Sequence, residues 1–222
     1  KRFIMALMNK IKILEYSTLL TILKDSDQYF QWDTLFYSQE WIEVLKKSYG
    51  FEIKSIYDEE NSNFILFALI ENSFGKKLVS LPFSDYIAYN SNESESYDKL
   101  ASKLEQYYPD HLIQLRVNWD KNELTWGHSS KNAFYHEINF IDSANGYQLE
   151  LETSKSFKRA VKKSAGNNVQ VKLSRSEKSF EAFYQMNAEH RISKFRKMPQ
   201  PYAFFKHIFD QFIRANKGFF LE

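Results

Sequence analysis

Along this chain the spacing of apolar residues switches repeatedly between the helical and the strand period, and that alternation restricts the fold to helices layered on a sheet. After a β-rich stretch at 11–16, Leu19, Leu20 and Leu23 share one helical face over 17–24; Trp41, Ile42 and Leu45 share another over 38–49, where Gly50 supplies the stop. Residues 51–57 and 63–70 are rich in β-formers. Asp58, Glu59, Glu60, Asn61 and Ser62 separate them, which predicts a hairpin, and 76–81 adds a third strand to an antiparallel meander. Tyr97, Leu100 and Leu104 return to the helical period over 94–107, Pro109 closes that helix, and strands are expected at 111–117 and 134–140. The first 150 residues therefore predict a mixed α/β layer domain.

The remainder repeats the alternation. Phe157, Ala160, Val161, Ser164 and Ala165 recur at helical spacing over 154–165, and Gly166, Asn167 and Asn168 end that helix. Val169, Val171 and Leu173 alternate as a strand. Ser174 with Glu177 has the spacing of a capping box for a long helix bearing Phe180, Tyr184, Ala188, Ile192 and Phe195. A last helix is expected from 201 to 216, and its Phe205, Ile208, Phe209 and Phe212 need a covering element, expected in part beyond Glu222. The chain opens at Lys1 and closes on Phe219, Phe220, Leu221 and Glu222, which begin like a strand. It reads as a fragment.

Twenty Phe and fourteen Tyr against six Gly and four Pro call for long regular elements with few special turns. No apolar run approaches the roughly 20 residues that span a bilayer. With no cysteine there is no disulfide, thiolate nucleophile or thiolate metal site, a composition that suits the cytoplasm.

Charge divides the chain sharply. Residues 1–153 hold 15 Lys and Arg against 23 Asp and Glu, whereas 154–222 hold 15 against 5. The densest stretch carries Lys155, Lys158, Arg159, Lys162, Lys163, Lys172 and Arg175 with no acid among them. At about 100° per residue the first five occupy a sector of roughly 140° on a helix. Such a face suits a phosphate-bearing partner, and equally a solvated surface. Arg191, Lys194, Arg196 and Lys197 form a second cluster at a helix end, where the helix dipole also favours cations.

Several reaction classes lack their backbone devices. No phosphate-binding Gly-x-x-x-x-Gly-Lys loop, no Gly-x-Gly-x-x-Gly turn and no Gly-x-Ser-x-Gly elbow occurs. His111, His128, His136 and His207 have no metal-ligand spacing, so no metal is expected. Glu150 and Glu152 share one side of an extended stretch and read as a solvated face.

Five tracts carry a family resemblance: Ser38, Glu40 and Trp41; residues 75–86 (GKKLVSLPFSDY); residues 157–163; residues 183–191 (FYQMNAEHR); and residues 198–205 (MPQPYAFF). In order and over nearly the whole chain they resemble the Fem-like branch of the GNAT acyltransferase superfamily, which includes peptidyltransferases of cell-wall synthesis and relatives encoded near polysaccharide genes. The resemblance implies tandem GNAT-like α/β (α+β) domains with mixed, largely antiparallel sheets flanked by helices. The first would span 1–146, and 147–222 would be the N-terminal half of a second.

It also implies acyl transfer to an amine of a cell-wall or polysaccharide precursor, with acyl-CoA or aminoacyl-tRNA as donor and no permanently bound cofactor. Two features depart from the family pattern. No glycine-rich loop for a CoA pyrophosphate is visible, and Ile87, Ala88 and Tyr89 stand where small residues belong.

Under this reading Asp85 orients or deprotonates the attacking amine and Tyr86 donates to a developing oxyanion, although Asp85 also suits a simple turn. His190 is a candidate acid or base as well as a packed or surface histidine. Trp41, the five cations from Lys155 to Lys163, Arg191 and Arg196 fall to substrate binding. The expected partners are an anionic, phosphate-bearing substrate, tRNA, and peripherally a membrane-linked precursor. Two noncatalytic alternatives remain: an RNA-binding module, or a structural partner in envelope-polysaccharide assembly.

Overall fold

β-branched and aromatic residues alternate with helical repeats, and each sheet face finds a helical cover. The computed structural model describes residues 10–25, 35–84, 94–116, 126–127, 140–143, 146–149 and 155–222. The architecture is mixed α/β, with a five-stranded mixed sheet and six α-helices among the described residues.

The chain divides into two compact units, Lys1–Gly127 with Arg175–Phe219, and His128–Ser174 with Phe220–Glu222. In the first, β1 (Ile11–Glu15), β2 (Glu52–Asp58), β3 (Asn63–Asn72), β4 (Gly75–Val79) and β5 (Leu112–Gln114) hydrogen-bond in that order. β2, β3 and β4 pair antiparallel as the meander pattern predicted; β1 adds antiparallel to β2, whereas β4 and β5 run parallel, Leu78 opposite Ile113.

β3 reads as nearly unbroken apolar residues because both its faces are covered. Phe64, Leu66 and Ala68 face α1 (Tyr16–Lys24) and α2 (Gln39–Tyr49) in one buried cluster, which also holds Ile53 and Tyr57 of β2. Ile65 and Phe67 face Tyr97, Leu100, Ala101 and Leu104 of α3 (Ser94–Tyr107) in a second. Each such side chain removed from water contributes about 1.5–3 kcal/mol. Asp58, only 2 % exposed, closes the β2–β3 hairpin: it accepts from the Glu60 amide at 3.1 Å and from Lys99 Nζ of α3 at 2.8 Å.

Local signals placed α2 within a residue. Ser38 caps it, its Oγ accepting from Trp41 N at 3.2 Å, and Gly50 ends it at φ 69°, where an L side chain would cost about 1 kcal/mol. α5 (Glu177–Phe195) is capped by Ser176 rather than Ser174. The Ser176 hydroxyl accepts from Ser179 N at 3.1 Å, because the chain stays extended two residues longer than the sequence suggests.

The expected final helix is shorter than 201–216. α6 (Tyr202–Ile208) widens into a π-helical turn, Phe209–Ile213, with Arg214 N donating to Phe209 O at 3.0 Å. The wider turn aims Phe209, Phe212 and Ile213 all inward. They find cover among the described residues: Phe212 joins the α1–α2 cluster, and Phe180 of α5 stacks on Phe209 with centroids 5.0 Å apart. Lys206 and Arg214 both reach Glu177, fastening α6 to α5.

In the second unit β6 (Phe140–Ser143) pairs antiparallel with β7 (Gly146–Leu149). Most of the strand expected at 134–140 lies outside the described residues. α4 (Lys155–Gly166) follows, and the strand expected at 169–173 shortens to β8 (Leu173–Ser174), antiparallel to β9 (Phe220–Leu221). Phe157 was expected at core spacing like Phe180 and Phe205, yet α4 buries none of its residues. No helix among the described residues is long and apolar enough to cross a membrane.

Candidate functional site

Where parallel β4 and β5 end side by side, their carboxyl ends form the kind of edge at which α/β sheets bind ligands. Ser80 N donates to Gln114 O at 3.0 Å, continuing the pairing one step beyond β4. The chain then turns through Leu81, Pro82 and Phe83 to Ser84, immediately before Asp85 and Tyr86.

That turn is held from three sides. The Trp41 indole Nε1 donates to Ser84 Oγ at 2.8 Å in a buried bond. The backbone amide of Arg116 donates to Ser80 Oγ at 2.7 Å, and its guanidinium donates to Ser84 O. Phe83 sits at φ 59°, a left-handed conformation that costs a bulky residue of order 1–3 kcal/mol and persists where packing enforces it. Here its ring stacks on Tyr49 at 5.0 Å and tilts against Phe204 at 5.2 Å.

Asp85 and Tyr86 lie outside the described residues. Trp41 is described, and it is a core residue, 5 % exposed. Its indole meets Phe204 at 6.1 Å and Phe212 at 6.4 Å, so its polar edge serves the turn before Asp85. From Phe204 the rings continue to Phe205 at 5.3 Å, and Phe205 meets Phe183 at 5.5 Å and Tyr184 at 6.0 Å. Four of the five tracts behind the family resemblance thus meet in one assembly centred on Trp41. The fifth, residues 157–163, lies in the other unit.

The α2 end of this assembly carries charge. Glu40 is ion-paired with Lys217, and that hydrogen bond holds its carboxyl below the usual carboxylate value. Glu40, Glu43, Tyr37, Leu20 and Lys217 line a cavity of about 530 Å³ between α1 and α2. The Tyr49 hydroxyl is buried without a hydrogen-bond partner among the described residues, and burial raises its pKa. Tyr202 donates to Glu181, a bond that pushes its pKa to about 12 and keeps the phenol protonated.

On α5, Asn187 and Arg191 stand four residues apart, hence on one helix face. Asn187 Nδ2 and Arg191 Nε are both buried and have no hydrogen-bond partner among the described residues. Two adjacent buried donors left open cost about 1–3 kcal/mol each, which a bound acceptor would recover. His190 is exposed on another side, its ring edge-on to Phe195 at 5.2 Å. Arg196 caps α5 in the left-handed conformation at φ 52°.

On α4, Lys155, Lys158, Arg159, Lys162 and Lys163 are all exposed, and none forms an ion pair among the described residues. His111 Nε2 lies 3.0 Å from Glu71 Oε1, and His207 Nδ1 2.9 Å from Ser48 Oγ. No group of three or more His, Asp or Glu among the described residues is placed to hold a metal ion.

Sequence reasoning missed Arg116, Asn187 and the bond from the Trp41 indole to Ser84. Arg116 follows a strand but belongs to no motif, and Asn187 stands out only once its neighbours are known. No family model, no curated protein and no solved structure matches the chain.

Proposed function

We propose that the protein is a Fem-like acyltransferase that forms an amide on an amine of a cell-wall or polysaccharide precursor, with acyl-CoA or aminoacyl-tRNA as donor. One observation carries this reading: tracts separated by up to about 160 positions, chosen by family resemblance alone, meet at Trp41 and brace the turn before Asp85. Core packing by itself asks only for a large apolar residue at that place. A directed indole bond to Ser84, with Arg116 gripping the same turn, suits a segment whose position matters for chemistry.

In this scheme the acceptor amine attacks the activated acyl carbonyl directly. The new C–N bond forms as the thioester or ester C–X bond breaks; Asp85 takes the amine proton and returns it to the departing sulfur or ribose oxygen, and Tyr86 hydrogen-bonds the carbonyl oxygen as it gains charge. The carboxylates Glu40 and Glu43 beside the 530 Å³ cavity suit the amine-bearing acceptor. Asn187 and Arg191 on α5 suit phosphate oxygens of donor or acceptor. The tandem division at 146/147 belongs to the same proposal.

The test is turnover. Purified protein is incubated with radiolabelled aminoacyl-tRNA or acyl-CoA pools and amine-bearing precursor fractions, beside an Asp85→Asn variant. Label transfer that the variant lowers at least a hundredfold is expected. No transfer from either donor pool to any amine would overturn the reading.

A further inference from the structure

We propose that α4 is a membrane-docking helix that lays its Phe157 and Val161 side onto an anionic lipid bilayer. The helix runs about 18 Å, and at about 100° per residue its side chains sort into two opposed sectors. Lys155, Lys158, Arg159, Lys162 and Lys163 fill one; Phe157, Ala160, Val161, Ser164 and Ala165 fill the other.

In a helix that serves the core the second sector is covered. Here Phe157 is 54 % exposed and Val161 51 %, and no α4 residue is buried. The one hydroxyl in the apolar sector is already used, since Ser164 Oγ donates to Val161 O at 2.8 Å. A recess of about 370 Å³ runs along the border of the sectors, with Phe157, Val161 and Ala165 on one side and Lys158 and Lys162 on the other. Val169, Val171 and Leu173 of the same unit are exposed as well.

Charge decides which surface fits. Five cations without ion pairs among the described residues, and no acid from Lys155 to Ser176, oppose an apolar or cationic partner and favour a dense array of phosphates. RNA offers phosphates too, but its bases bind through successive aromatic rings, and α4 has a single one. Aliphatic Val161 and Ala165 gain nothing from bases and gain transfer energy from acyl chains, while lysine stems reach past them to headgroup phosphates. The inference rests on reading α4 as a phosphate-binding helix and is independent of acyl transfer.

Sedimentation with sucrose-loaded vesicles tests it on the whole chain. Binding is expected to phosphatidylcholine vesicles containing about 30 % phosphatidylserine, with release in high salt and none to phosphatidylcholine alone. Each Lys→Gln change in the α4 sector should weaken binding about fivefold. Phe157→Ser with Val161→Ser leaves the charge unaltered; it should weaken binding at least tenfold, with the circular dichroism and any acyl transfer to a water-soluble acceptor unchanged.

Absence of sedimentation with anionic vesicles at low salt would overturn the proposal. So would binding that the double serine variant retains in full, or tRNA that displaces the protein from vesicles at equal phosphate concentration, which would make α4 an RNA-binding helix. Failure of acyl transfer with every donor and acceptor bears on the enzyme reading alone.

Discussion

The indole of Trp41 donates to the hydroxyl of Ser84 across 2.8 Å, joining the first turn of α2 to the segment that enters Asp85 from 43 residues away in sequence. The bond is buried, so neither group has water to fall back on. Trp41→Phe keeps most of the ring contacts with Phe204 and Phe212 and removes the donor. Urea unfolding should show a loss of about 1–3 kcal/mol. Ser84→Ala, which strands the indole N–H, should cost a similar amount, and the double variant should cost less than the sum of the two. Strict additivity in that cycle would mean the two side chains are not coupled.

Phe204 is the hub of the aromatic assembly, within 5.2–6.1 Å of Trp41, Tyr49, Phe83 and Phe205. Phe204→Ala should destabilise by about 3–5 kcal/mol and leave Phe83 without one of the two rings that enforce its left-handed backbone. Its neighbour Tyr49 provides the contrast: a buried hydroxyl with no partner contributes nothing, so Tyr49→Phe should be neutral or stabilising by up to about 1 kcal/mol. A Tyr49→Phe loss larger than that would show that the hydroxyl bonds to something.

Acid should weaken the β2–β3 hairpin through Asp58. Burial disfavours the Asp58 carboxylate, but bonds from Lys99, the Glu60 amide and Asn61 outweigh it and hold the pKa below the ordinary value. A carboxyl depressed in the folded state stabilises fully above its unfolded pKa of about 4, and that contribution fades as pH falls through the lower folded value. Asp58→Asn should cost about 2–4 kcal/mol at pH 7 and flatten the stability curve below pH 4. Equal acid sensitivity in the two proteins would assign the acid transition to other carboxylates.

What the sequence disclosed was what local physics decides. The 94–107 helix, the hairpin around residues 58–62 and α2 between Ser38 and Gly50 depend on periodicity, caps and turn residues within one stretch, and they match almost to the residue. Errors began where a distant partner decides. Val169 and Val171 have strand spacing, while the described pairing with β9 holds Leu173 and Ser174 and carries on to Lys172, which exchanges two backbone hydrogen bonds with Glu222. Phe157 has core spacing yet is 54 % exposed, whereas Phe209 and Phe212 are buried against α5 and α2. Trp41 lay in the right tract for a different reason: its spacing shows a buried face, but only folding reveals that its N–H reaches Ser84. Arg116 was silent because its role is set wholly by a parallel strand pairing.

The sharpest test of the anion reading is on α5. Asn187 Nδ2 and Arg191 Nε are buried, open and on one helix face, so in the free protein they reduce stability instead of adding to it. Arg191→Met fills similar space without a donor and should leave the free protein's melting temperature unchanged or higher, the reverse of what loss of a structural arginine does. Pyrophosphate should raise the melting temperature of the unaltered protein by several degrees once its concentration is about a hundred times its Kd. Arg191→Met and Asn187→Leu should each lose most of that rise, and Arg191→Lys should keep part of it, since a point charge cannot replace a planar donor. The α4 cations supply the control, because a response lost on replacing Lys158 and Lys162 but kept in Arg191→Met would place the phosphate on the other unit. A free Arg191→Met protein that melts several degrees lower would show that the guanidinium is already bonded, and the pair would then be structural.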